Sequence, residues 1–132
     1  MNWKIISLTS LIAIPMGFGT TYFIPFVIEP FLWIAMLPFC AFIIARFCER
    51  KYFLNGLMVG ILINIWNAVI HFIFFDAYLT RHPAWAHMEH VTAEQIRWGD
   101  MIFSPVIGIF AGLLIGLFSW AAAMVFKKKS LA

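Results

Sequence analysis

Apolar residues run almost unbroken along this chain in four stretches, near Trp3–Ile28, Phe31–Phe47, Phe53–Phe75 and Met101–Phe126. Each is close to or above the ~20 helical residues that a hydrocarbon layer of about 30 Å requires. Only helices and closed barrels satisfy every backbone group in lipid, and the absence of barrel-type alternation predicts helices. Glu29-Pro30 punctuates the end of the first stretch, Arg46 with Glu49-Arg50-Lys51 the second, and Lys127–Lys129 the fourth. The pattern predicts an all-α integral membrane fold in a single domain over 1–132: an antiparallel, up-down bundle of four transmembrane helices, with a polar outer connection over 76–100.

Polar residues inside the stretches carry the next level of information. In the third, Gly56, Gly60, Asn64, Asn67 and His71 fall within an arc of about 80° at 100° per residue, whereas Leu62, Ile65, Trp66 and Ile73 lie opposite. Polar side chains within spans face the bundle or a water-filled cavity. In the fourth, Ser104, Gly108, Gly112 and Gly116 recur every four residues, a glycine-zipper pattern that lets helix backbones approach closely. The two faces are expected to meet, with Asn64 near the depth of Gly112, His71 near Ser104–Gly108, and Gly56/Gly60 near Gly116–Ser119. Asn64, Asn67 and His71 then act as interhelical hydrogen-bonding groups worth about 0.6 kcal/mol each. The alternative is a polar path or solute site with Asp76 at its mouth, and the His71 imidazole favours it because histidine titrates near neutral pH. Pro15, Gly17, Gly19 and Pro25 predict a bent first helix, in which Thr20-Thr21 bond carbonyls freed by the bend.

Composition agrees with the pattern and adds orientation. Of 132 residues, 64% are hydrophobic and 11% charged, against roughly 25% charged in soluble domains, and a soluble chain of this size cannot hide so much apolar surface. With the N-terminus inside, Lys4, Arg46, Arg50, Lys51 and Lys127–Lys129 are all cytoplasmic and only Arg81 and Arg97 lie outside. That bias predicts cytoplasmic termini in a bacterial inner membrane. The net charge of +3 therefore reports topology and contact with the lipid bilayer rather than nucleic-acid binding. Lys4 and the small residues at Gly17-Phe18-Gly19 have a likeness to a cleavable leader, but the apolar stretch continues to Ile28, too long for an ordinary h-region, so the first helix is expected to be retained.

Candidate chemistry is sparse. His87 and His90, with Glu89 between them and His82 upstream, form a weak zinc or copper pattern. A haem would need a second axial ligand from a methionine or another subunit, because His71 alone lies well inside a span. Cys40 and Cys48 are about 12 Å apart along one helix, beyond disulfide reach. Ser104 and His71 have no evident carboxylate to complete a nucleophilic triad. Thr92 and Gln95 match a capping box, so a short helix with Glu94–Arg97 and Arg97–Asp100 pairs is expected before the fourth span, and Trp85 and Trp98 suit the interface. The expected function is a non-catalytic membrane module that assembles as a homo-oligomer or with a larger membrane partner. The alternative is a permease or channel for a small solute, distinguished by whether water reaches Asn64.

Overall fold

The computed structural model describes residues 1–86 and 90–130, with the backbone alone at 85–86 and 127–130. All regular structure among the described residues is helical: α1 (Trp3–Ser10), α2 (Ala13–Tyr22), α3 (Glu29–Phe47), α4 (Tyr52–Ile73), α5 (Phe75–Arg81), α6 (Pro83–Ala86) and α7 (Ala93–Ser130). Four segments are long and apolar enough to cross a membrane: Trp3–Tyr22, which joins α1 to α2, Glu29–Phe47, Tyr52–Ile73 and Ala93–Phe126.

The first segment is interrupted at Leu11-Ile12, four residues before Pro15. Proline has no N–H to bond the carbonyl four residues back, and its ring crowds that carbonyl. Here that carbonyl belongs to Leu11, and it is bonded instead by Ile14 N, in a tightened turn of 3.0 Å. The helix then ends at Tyr22 rather than at Ile28. Phe23 N and Ile24 N both donate to Gly19 O (2.8 and 2.7 Å), and Pro25 biases the preceding Ile24 away from helical geometry. Glu29-Pro30, expected to close the first helix, instead opens α3, with proline in the first turn. There a missing N–H costs nothing and an acidic side chain complements the helix dipole.

The stretch that follows α4 holds more helix among its described residues than the sequence suggests. Thr92 N donates to Gln95 Oε1 (2.9 Å) and Gln95 N to Thr92 Oγ1 (3.2 Å), so the capping box forms. The helix it starts runs without a break through Pro105 to Ser130, 38 residues in all, or roughly 57 Å at 1.5 Å per residue. The expected pairs of Arg97 with Glu94 and Asp100 do not form. Arg97 Nε donates to Phe72 O (3.0 Å), its guanidinium lies 4.3 Å from the Phe72 ring centre, and Glu94 accepts from Trp98 Nε1.

α4 is the axis of the fold, packed most extensively on α7 and also touching α1, α2 and α3. The α4–α7 contact is glycine on glycine. A Cβ on Gly56 would lie 2.5 Å from Gly116 Cα, and one on Gly60 would overlap the Gly112 backbone. As numbers rise along α4 they fall along α7, and one turn further on Asn64 Cβ meets Gly108. The register is thus one turn away from the expected pairing of Asn64 with Gly112, because contact between glycine backbones, rather than alignment of span midpoints, sets the depth. The apolar core lies toward the N-terminal end, where Ile6, Cys40, Ile44, Val59, Ile63 and Ile115 cluster.

A second staple ties that end together. Asn55 has no exposed surface, accepts from Asn2 N at Oδ1 (3.1 Å) and donates from Nδ2 to Arg50 O (3.1 Å). The start of α1 and the α3–α4 turn are thereby held on one side chain. Asn55→Ala is expected to cost about 1–3 kcal/mol by leaving polar groups unpaired, read as a lower thermal midpoint in mild detergent. An unchanged midpoint would show that the staple contributes nothing.

Candidate functional site: a cavity between α3, α4 and α7

Three long helices, with Tyr78 from α5, deliver polar side chains to one cavity of about 400 Å³. α4 supplies Asn64, Asn67 and His71, α3 supplies Glu29 and Trp33, and α7 supplies Asp100 and Ser104. Its outward rim is apolar: Ile34, Ile107 and Phe110 line it and are 63%, 56% and 65% exposed. The cavity therefore sets a few polar groups among mostly apolar walls, with an exposed apolar edge between α3 and α7.

His71 is buried to 3% exposure and engaged on both ring nitrogens. Nε2 lies 3.0 Å from Thr20 Oγ1, and Nδ1 lies 3.4 Å from Asn67 Nδ2 and 3.6 Å from Asp100 Oδ2. Thr20 Oγ1 also lies 3.1 Å from Gly17 O, and when the hydroxyl donates there, Nε2 carries the proton that it shares with Thr20. Asn67 Oδ1 is buried without a hydrogen-bond partner, facing Gly17 across space that a Cβ there would reach at 3.1 Å. Asn64 donates from Nδ2 to Gly60 O within its own helix (3.0 Å).

Above His71 stands a stack of three rings. The Tyr78 ring lies 4.0 Å from those of both His71 and His82. His82 is fully buried, with Nδ1 2.9 Å from Tyr78 O and Nε2 2.7 Å from Glu29 Oε2. Glu29 Oε1 accepts from Trp33 Nε1 (3.2 Å). Burial, followed by the negative charges of Glu29 and Asp100, pushes the Tyr78 phenol above its usual range.

The candidate residues read from sequence are thus distributed unevenly. Asn64, Asn67, His71 and Ser104 reach one cavity, while Gly56, Gly60, Gly108, Gly112 and Gly116 lie in the α4–α7 contact. Asp76 is exposed on α5 and does not line the cavity, whereas Asp100 of α7 does. Ser104 Oγ lies 3.5 Å from Asp100 Oδ1, so the carboxylate stands between serine and histidine, unlike the order of a nucleophilic triad. His87, Glu89 and the Trp85 side chain lie outside the described residues. His90 is exposed at a left-handed φ of 69°, and no group of three or more metal-ligating side chains occurs among the described residues.

Glu29, His82, Tyr78, Asp100 and Thr20 were not anticipated as members of this site. The available signal was weak: Glu29 and His82 each sit at a helix boundary, and Asp100 directly precedes the fourth apolar stretch, where a charged or polar residue is unremarkable on sequence grounds. Comparison with protein-family models, curated proteins and solved structures finds no match to this chain.

Proposed function

We propose that this chain is a non-catalytic integral membrane protein of the bacterial inner-membrane type that holds a small solute between α3, α4 and α7, as a permease or solute-binding module. One observation carries the reading: the cavity extends to Asn64, Asn67 and His71 in the interior of a span. Volumes of 300–1,000 Å³ with apolar walls and a few convergent polar groups are the usual form of a small-molecule site. The rival, a module built chiefly for assembly, draws less support, because the small faces of Gly56, Gly60, Gly112 and Gly116 are already covered within the chain.

The test is chemical access. In a background with Cys40→Ala and Cys48→Ala, Asn64→Cys is expected to react with a small water-soluble thiol reagent in proteoliposomes. Asn55→Cys, which is fully buried, should stay unmodified if it folds. Protection of Asn64→Cys would remove the hydrated cavity on which the reading depends.

The proposed topology is an antiparallel bundle with both termini cytoplasmic. The N-terminus and the Arg50 turn share the Asn55 staple, which gathers Lys4, Arg46, Arg50 and Lys51 at one end of the fold, in keeping with an inside excess of positive charge. A periplasmic reporter inserted between Arg81 and Thr92 should be active, and one fused after Ala132 inactive. The reverse pattern would invert the orientation.

A further inference from the structure

Hydrogen-bond geometry limits where protons can sit around the cavity. His82 Nδ1 faces a carbonyl oxygen and so carries a proton, and the 2.7 Å contact of Nε2 with Glu29 needs one more proton between the two atoms. That pair is neutral overall whichever atom holds the proton. With the Thr20 hydroxyl turned to Gly17 O, His71 Nε2 donates to Thr20 and Nδ1 accepts from Asn67 Nδ2. His71 is neutral in this arrangement, and the Asp100 carboxylate, 36% exposed, then has Ser104 and no cationic side chain beside it. No lysine or arginine lines the cavity among the described residues. Arg97, one turn from Asp100, is held on Phe72. The walls are aromatic: Trp33, Tyr78 and Phe110, whose ring faces attract cations.

We propose that the cavity binds a monovalent organic cation with an apolar body, its charge seated beside Asp100, and that a proton on His71 Nδ1 competes with it. The inference rests on the solute-binding reading above. An anion would meet the Asp100 carboxylate, and a neutral solute would displace water from a side chain that is 36% exposed without replacing its interactions, which is costly. A cation satisfies the carboxylate, while its apolar body suits the Ile34–Ile107–Phe110 rim.

Competition follows from the second nitrogen of His71. Protonating Nδ1 makes it a donor toward Asp100 Oδ2, now 3.6 Å away, and neutralises the site from within. Asn67 must then rotate its amide so that Oδ1 faces the ring. That oxygen has no partner in the present arrangement, so the rotation breaks none of its bonds. The groups that face this exchange are Thr20 from α2, Glu29 from α3, Asn67 from α4, Tyr78 from α5, His82 after it, and Asp100 and Ser104 from α7. Lowering pH is therefore expected to weaken cation binding, because it loads His71.

The test compares benzyltrimethylammonium with neopentylbenzene, its uncharged isostere, on the full chain in mild detergent by calorimetry. At about pH 8 the cation should bind at least about tenfold tighter, equivalent to about 1.4 kcal/mol, and the preference should shrink toward about pH 5. Asp100→Asn should abolish the preference and Asp100→Glu should restore part of it, which separates lost charge from lost folding. Asp76→Asn should leave it intact. Equal affinity of wild-type protein for the two probes would overturn the cation assignment while leaving the solute-binding reading in place. So would failure of both probes to bind when Asn64→Cys is still modified. A pH-independent preference would overturn the competition at His71, and loss of preference in Asp76→Asn would overturn the seat at Asp100. Protection of Asn64→Cys would remove the solute-binding reading itself.

Discussion

Gly112→Leu is expected to prevent the bundle from assembling. Even a single Cβ at Gly112 would overlap the Leu57 carbonyl oxygen and approach Leu57 Cα at 3.0 Å. These are backbone atoms of α4, which cannot rotate aside as a side chain can. Gly112→Ala alone should cost about 1–3 kcal/mol by overpacking, and leucine, with three further carbon atoms, should leave no folded population in mild detergent. Gly99→Ala supplies the control: nothing lies within 4 Å of the added atom, and replacing a mid-helix glycine should be worth roughly 0.5–1 kcal/mol of added stability. Asn64→Leu should change stability by only about 1 kcal/mol, since Asn64 Nδ2 bonds only its own helix at Gly60 O. Thermal unfolding and size-exclusion profiles read all four. Tolerance of Gly112→Leu would mean that α4 and α7 are not in backbone contact.

The second large effect belongs to the Glu29–His82 pair. His82→Leu removes the partner of a carboxyl whose side chain is only 13% exposed, leaving Glu29 with the Trp33 indole alone. Breaking a buried pair from one side costs about 3–5 kcal/mol, whereas replacing both members with apolar groups is often close to neutral. The double variant Glu29→Leu/His82→Leu should therefore be more stable than His82→Leu alone, a non-additivity that only directly interacting groups show. If the double variant is the sum of the singles, the 2.7 Å contact contributes no coupling. His82→Leu should also loosen α5 against α3, because His82 closes the stack that begins at His71 and passes through Tyr78.

Much of the architecture was legible in the order of the residues. Four apolar stretches predicted four helices long enough to cross a membrane, because continuous hydrophobicity over about 20 residues has few other physical outcomes. The capping box at Thr92–Gln95 was legible for a similar reason: its bonds join residues three apart and need nothing from the rest of the chain. The arc of Gly56, Gly60, Asn64, Asn67 and His71 followed from helical periodicity alone.

The tertiary structure decided what that periodicity could not: which neighbour each polar group meets. α4 is surrounded, so its stripe divides. Gly56 and Gly60 press on α7, while His71 turns between Thr20 of α2 and Asp100 of α7. The bend in the first segment fell at Leu11 because a proline acts on the carbonyl four residues behind it. Asp100 displaced Asp76 at the site because α7 starts at Ala93 and carries Asp100 in its second turn. The partnership of Glu29 with His82, 53 residues apart, had no local signal at all, since a hydrogen bond between distant residues depends on how helices pack and leaves no period in the sequence. The four helices are thus a property of the chain's local pattern, and the cavity with its charges is a property of their packing.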